Sequence, residues 1–262
     1  MTILLQSIDA EGVATLTLNR PDKRNALDSE LIGRMRDALE ALNARADVRV
    51  ITIEGAGEHF CAGGDIGSMR SVAQRSMSAN EQDALALARM LYALDTVAKP
   101  TIAVAKGAAV GGGVGLLACC DIVIAADDAS FCLSEVRLGL LPAIVGPFLI
   151  RAIGLRQLRR YALTAERFSA AEAQTLGLVH RVAPRLEVGV TRAAIVDELL
   201  RGAPGAQADL KSFFEECHGL GVNAELLREA AHRLAARRSS AEAQEGLRAF
   251  LEKRAPNWFA AD

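Results

Sequence analysis

Hydrophobic and polar residues alternate from the start of the chain. Ile3–Ile8 reads as a strand, and a second follows over Val13–Leu18, where Val13, Thr15 and Thr17 alternate with Ala14, Leu16 and Leu18. A period of two marks a half-buried strand, and Asp9-Ala10-Glu11-Gly12 between the pair predicts a hairpin turn. Asn19-Arg20-Pro21-Asp22 breaks the pattern. Asp28 then suits the N-cap of a helix over Ser29–Ala44, with Leu31, Met35, Leu39 and Leu42 on one face and Arg34, Arg36, Asp37 and Glu40 elsewhere. Val48–Glu54 predicts a buried strand and Asn80–Thr96 a helix. Pro100 stops what precedes it, Thr101–Ala105 reads as a core strand, and a glycine cluster leads through Leu116–Cys120 to a strand over Asp121–Ala125. Strands alternate with helices to about Val182, the pattern of an α/β core. From Val188 the pattern is helical, with Gly202-Ala203-Pro204-Gly205 as a break before helices over Ala224–Arg237 and Ala241–Lys253. The organisation expected is a core over residues 1–187 and a C-terminal helical lobe over 188–262, packed on the core or on a neighbouring subunit.

Composition narrows the function. With 262 residues the chain is long enough to bury a large core without disulfides or metal. Hydrophobic residues make up 51% and the net charge is −2, which excludes a disordered chain and argues against a nucleic-acid binder that works by bulk charge. The longest uncharged runs, Gly107–Cys120 and Leu138–Ile150, span 14 and 13 residues, short of the ~18–20 of a membrane helix. Met1–Gln6 lacks the basic start and apolar stretch of a signal peptide. The 5 cysteines form no Cys-x-x-Cys pair, so reduced thiols in a cytoplasmic protein are expected. His59, His180, His218 and His232 have no metal-ligand spacing, and no metal is expected.

The 22 glycines are the unusual feature, with Gly111, Gly112, Gly113 and Gly115 crowded together. Their spacing fails the dinucleotide fingerprint, no phosphate-loop Gly-Lys-Ser/Thr follows, and there is no Gly-x-Ser-x-Gly elbow. What remains is a strand and then glycines that open a helix. Such glycines serve either tight helix packing or N–H groups aimed at negative charge, and this segment alone leaves both readings open. Phe60-Cys61-Ala62-Gly63-Gly64-Asp65-Ile66 is a second strand–glycine–helix unit. Two such units can each lend one N–H to a single oxygen, which makes an oxyanion hole.

Taken in order, Asn19-Arg20-Pro21 with Asn25-Ala26-Leu27, Phe60–Ile66, Lys99–Ala103, Gly107 with Gly111–Gly113, and Cys120-Asp121-Ile122 resemble the enoyl-CoA hydratase/isomerase (crotonase) superfamily. Leu138–Pro142, Ala170–Ala173, Gly177-Leu178-Val179 and Phe250–Arg254 extend the resemblance over nearly the whole chain. It implies an α/β fold, a crotonase-like spiral of ββα units with a C-terminal helical trimerisation region. It also implies an acyl-CoA thioester substrate, a homo-trimer or dimer of trimers, and no cofactor beyond the coenzyme A of the substrate. The family's oxyanion donors map onto Gly64 and Gly112. Its adenine contacts map near Ala62, Asp65 and Ile66, and its phosphate contacts map onto Arg24 and Lys253, for which a solvated surface role is equally open.

Hydratases of the family carry two glutamates. Glu135 matches the second, whereas the first is replaced by Gly115. Either Glu135 acts alone with a water as shuttle, or the reaction is an isomerisation that needs one base. Gly111–Leu116 together with Leu133–Gly139 is similar to the bacterial subgroup that hydrates 3-branched glutaconyl-CoAs (3-methylglutaconyl- and isohexenylglutaconyl-CoA) in leucine and acyclic-terpene breakdown. On that reading Gly115 makes room for the branched C3, and Arg137 either pairs with the distal carboxylate or forms a surface ion pair. A non-catalytic acyl-CoA-binding protein is the remaining alternative.

Overall fold

The alternating segments at the start of the chain pair as expected. β1 (Leu4–Ile8) and β2 (Val13–Leu18) form an antiparallel hairpin, Leu4 opposite Leu18 and Ile8 opposite Ala14. The computed structural model describes residues 2–259. At the hairpin turn the Asp9 side chain accepts from the Glu11 and Val13 N–H groups, and Gly12 has φ +84°, a conformation that favours glycine. Four further strands join β2 in parallel register: β3 (Val50–Gly55), β4 (Thr101–Ala105), β6 (Ile122–Ala126) and β9 (Arg181–Ala183). The six-stranded order is β1-β2-β3-β4-β6-β9. A smaller sheet holds β5 (Ala108–Val110), β7 (Ser130–Cys132) and β8 (Phe168–Ser169), and isolated bridges from Leu27 to Gly64 and from Cys61 to Ala109 continue it. Successive turns of the chain therefore place one segment in each layer, which is the ββα spiral.

Helices close each turn. α1 (Ser29–Ala44) begins where predicted, with the Asp28 carboxylate accepting from Leu31 N–H at 2.9 Å. α2 (Ile66–Ala73) and α3 (Met77–Thr96) follow β3, with α3 starting three residues before the sequence expectation because Ser76 caps it through Ala79 N–H. α4 (Gly112–Ala118) carries the glycine cluster. α5 (Gly146–Thr164) is interrupted at Gly154, and α6 (Ala170–Leu176) ends the spiral. One face of the large sheet packs Leu16, Leu18, Ile51 and Ile53 against Leu31 and Met35 of α1 and Met90 of α3, all fully buried.

The other face packs Val13, Val50, Ile102, Val104 and Ile124 against Val188, Val196 and Leu200 of α7 (Val188–Arg201). α7 thus covers the core sheet although it opens the helical segment. Beyond it, α8 (Pro204–Cys217) and α9 (Ala224–Arg238) bury no side chain, and α10 (Ala241–Glu252) buries only Ala249. Among the described residues, no helix is long and apolar enough to cross a membrane. The cysteines are unpaired, and four of them are buried. Burial pushes the Cys61 thiol up to about 12, so it stays protonated near neutrality.

Candidate active site

The site is built from loops that separate segments of the chain bring together. Asn25 is fully buried in a left-handed conformation (φ 57°). Its Nδ2 donates to Ala56 O at 2.9 Å and His59 O at 2.8 Å, while its Oδ1 accepts from Arg20 N–H. This knot lays Leu27 along the second glycine segment. Leu27 N–H donates to Gly63 O at 2.7 Å, and Asp65 N–H donates to Leu27 O at 2.8 Å. The Gly64 N–H is not engaged in that ladder. The Arg20 guanidinium bridges Asp28 at 3.1 Å and Asp65 at 2.9 Å, the N-caps of α1 and α2. The Ser68 N–H, with help from Arg20, holds the Asp65 carboxyl below its ordinary range.

The first turn of α4 completes the donor pair. Gly111 has φ +49° and donates its N–H to Cys132 O at 2.8 Å. Gly112 is the first helical residue, whose N–H has no acceptor within a helix. Glycine is required for close approach at two places. A Cβ on Gly113 would lie 2.4 Å from Cys61 O, and one on Gly63 would lie 2.7 Å from Val110 O and 3.7 Å from Gly112 N. The two glycine segments are therefore in van der Waals contact, and Gly64 and Gly112 open on the same cavity of about 300 Å³. Wider grooves, of about 720 Å³ between α8 and α9 and about 590 Å³ between α1 and α3, collect no glycine N–H groups.

Glu135 begins a single 3₁₀ turn, Glu135–Leu138, after β7. Its carboxyl rests on Gly111, where a Cβ would be 2.8 Å from Oε1 and 3.4 Å from Cδ. The Oε2 atom is buried without a hydrogen-bond partner. Burial raises the Glu135 pKa above its ordinary value. Leu138, Leu140, Leu141, Pro142, Ile144 and Val145 give the same cavity an apolar wall. A carboxyl poised to exchange a proton thus shares one cavity with two amides suited to a developing oxyanion, which is an arrangement for proton transfer next to a carbonyl.

Of the residues expected from the sequence, Glu135, Gly64, Gly112, Ala62 and Ile66 line this cavity. Asp65 does not: its carboxylate is held by Ser68 N–H and Arg20, so it caps α2 rather than meeting a ligand. Arg24 is exposed and reaches the site only through its carbonyl, which accepts from Ala62 N–H at 2.9 Å. Arg137 is exposed and outside the lining, and so is Lys253, whose left-handed backbone caps α10.

Gly115 requires a correction. It does not open space for a branched substrate, because a Cβ there would meet Val145 Cγ1 at 2.3 Å and Val145 Cβ at 3.0 Å. The vacated volume is filled by valine. Asp121 accepts from Thr101 N–H and hydroxyl, and Glu166 pairs with Arg160, so both carboxylates are structural. His59 and His180 each accept a backbone N–H through Nδ1.

Sequence reasoning missed a polar pair in the lining, Ser29 donating to Asp83 Oδ1 at 2.9 Å, together with Leu87 one turn further along α3. The i,i+4 spacing of Asp83 and Leu87 was the available signal, but only the packing of α1 beside α3 points that face at the site. Leu140 lines the cavity, whereas Met90 is fully buried in the core and Leu85 faces a groove on the far side of α3.

This arrangement has close parallels. The chain matches the enoyl-CoA hydratase/isomerase family model over residues 9–260. An enoyl-CoA hydratase from Shewanella pealeana superposes with a TM-score of 0.95 at 39% identity, covering 98% of this chain and 96% of that one. AtuE of Pseudomonas aeruginosa superposes with a TM-score of 0.94 at 39% identity, covering 98% and 99%. A peroxisomal Δ(3,5)-Δ(2,4)-dienoyl-CoA isomerase of Arabidopsis thaliana is 36% identical over 208 residues, 74% of each chain. Fold, glycine amides and sequence agree, and the chain belongs to the enoyl-CoA hydratase/isomerase (crotonase) family.

Proposed function

We propose that the protein adds water across the 2,3 double bond of a 2-enoyl-CoA thioester, with Glu135 as its acid/base carboxyl and the Gly64 and Gly112 N–H groups as oxyanion donors. The observation that carries this reading is the Glu135 carboxyl, its Oε2 buried and unpartnered, in one cavity with both amides. The thioester oxygen accepts the two N–H groups, which draws electron density from C3. Glu135 takes a proton from water as the O–C3 bond forms and the π pair moves onto the thioester oxygen. The enolate then collapses and C2 takes the proton back from the same carboxyl. A single carboxyl serving both steps delivers H and OH to one face of the double bond.

The acyl group in this reading is 3-branched and glutaconyl, as 3-methylglutaconyl- or isohexenylglutaconyl-CoA, in leucine or acyclic-terpene breakdown. Its support is the resemblance carried by Gly111–Leu116 and Leu133–Gly139, together with the apolar wall that would receive a branch. None of the lining side chains is cationic, so the distal carboxylate is expected at the cavity mouth, in water. Exposed Ile66 beside Ala62 suits the adenine of coenzyme A. The expected assembly is a homo-trimer or dimer of trimers, since Phe214, Leu227, Leu247 and Phe250 on α8–α10 are all more than half exposed in one chain. Light scattering coupled to size exclusion would measure it.

A single carboxyl also suits isomerisation, and that alternative has a relative among the isomerases. Disappearance of the conjugated-enoyl absorbance of crotonyl-, 3-methylglutaconyl- and isohexenylglutaconyl-CoA, set against its appearance from a 3-enoyl thioester, separates the two. Activity on the 3-enoyl thioester alone would overturn the hydratase reading. Acyl-CoA binding with no turnover of any of these thioesters would leave only an acyl-CoA-binding protein.

A further inference from the structure

We infer that Val145 is the specificity-determining residue for the substituent on the reacting carbon, held in place by Gly115. The inference rests on the hydratase reading and adds to it the residue that reads the branch. Gly111 and Gly115 lie four residues apart, joined by a hydrogen bond from Gly115 N–H to Gly111 O of 3.1 Å. Gly111 is the N-cap of α4 and Gly115 lies in its first turn. The Glu135 carboxyl rests on Gly111 and the Val145 side chain rests on Gly115. The two side chains thus pack on the N-cap and the first turn of one short helix, and both residues line the cavity. Val145 accordingly shares the cavity wall with the proton-transferring group, and the substituent of the carbon that group serves is placed against it.

Val145 is also fixed. It is 3% exposed, its carbonyl accepts from Leu149 N–H at 3.0 Å, and it precedes the Gly146-Pro147 start of α5. A Cβ at position 115 would also lie 3.6 Å from Leu91 Cδ1, so α3 packs behind the same contact. A β-branched side chain has few rotamers, and one wedged between helices has no room to change. The consequence is a stiff wall of set depth. The lack of a Cβ at 115 is what lets valine reach that depth.

The test is a ratio of kcat/KM for a 3-propyl against a 3-methyl 2-enoyl-CoA, each pair measured on one preparation so that the folded fraction cancels. Val145→Ala should raise the ratio by about tenfold and Val145→Leu should lower it by a similar factor. Gly115→Ala, which pushes Val145 into the cavity, should act like leucine, and adding Val145→Ala to it should bring the ratio back. A ratio that stays at the wild-type value while both rates fall in parallel would reduce Val145 to core packing and overturn the inference. If the wild-type protein hydrates neither thioester, the reading as a hydratase of 3-branched substrates falls. The same ratio, taken as dissociation constants of the saturated 3-methyl- and 3-propyl-acyl-CoAs, then decides the role of Val145.

Discussion

Replacing Glu135 with Gln should remove activity and raise stability at the same time. The amide keeps the shape of the carboxyl but cannot take a proton from water, and general acid–base catalysis contributes about 10²–10⁴ in rate. A drop in kcat of that size is expected, with acyl-CoA affinity retained because the Gly64 and Gly112 amides are untouched. Stability moves the other way. Burial raises the folded-state pKa of Glu135 above its unfolded value, so between the two values the native state binds more protons. Stability from this group is fully present below the unfolded pKa and is lost as pH rises through the folded pKa. Above its folded-state pKa the wild-type protein therefore carries a charged, unpartnered Oε2 that the amide does not. Relief of about 1 kcal/mol is expected, near the low end for an unsatisfied buried polar group, because Glu135 is only partly buried. For a chain of this size that is about 2–4 °C in Tm. Calorimetry at neutral pH and again below the ordinary carboxylate range is the assay, and the gain should shrink in acid. A Gln variant that melts below wild type at neutral pH would refute the desolvation argument, and one that keeps kcat within about tenfold would refute the catalytic one.

Other outcomes follow from the same contacts. The acid limb of the kcat/KM profile should lie above the ordinary carboxylate range, since the base must be ionised and burial raises its pKa; a limb at or below that range would contradict the placement of Glu135. Gly115→Ala should cost about 1–3 kcal/mol through overpacking against Val145 Cγ1 at 2.3 Å, and Val145→Ala should recover part of it in thermal melts. Arg20→Leu leaves Asp28 and Asp65 without their shared cation, for an expected loss of about 2 kcal/mol and a fall in kcat as the Gly64 loop loosens. Arg137→Ala should leave kcat/KM unchanged on thioesters with and without a distal carboxylate, because the side chain lies outside the cavity; a selective loss on the carboxylate form would restore its binding role.

Much of the fold is legible in the chain because its signals are local. Asp28 caps α1, Leu31, Met35, Leu39 and Leu42 face inward, and Val13–Leu18 and Thr101–Ala105 form strands at the expected bounds. Each of these features needs only a period of two or 3.6, or one capping side chain. Glu135, Gly64 and Gly112 were reached through ordered motifs rather than periodicity, and the structure brings all three to one cavity.

The meaning of the other positions was not local. Asp65, read as a ligand contact, caps α2 through the Ser68 N–H in the next turn, and the Arg20 guanidinium that also holds it comes within reach only in the folded chain. Gly115, read as added room, is filled from a segment thirty residues away by Val145. Residue order determined the elements, the glycine turns and the acid. Tertiary packing alone decided which side chains share the cavity and how deeply each is buried. The physical reason is that periodicity and capping act between neighbours in the chain, whereas desolvation of Glu135 and occupancy of the space at Gly115 depend on every segment packed around them.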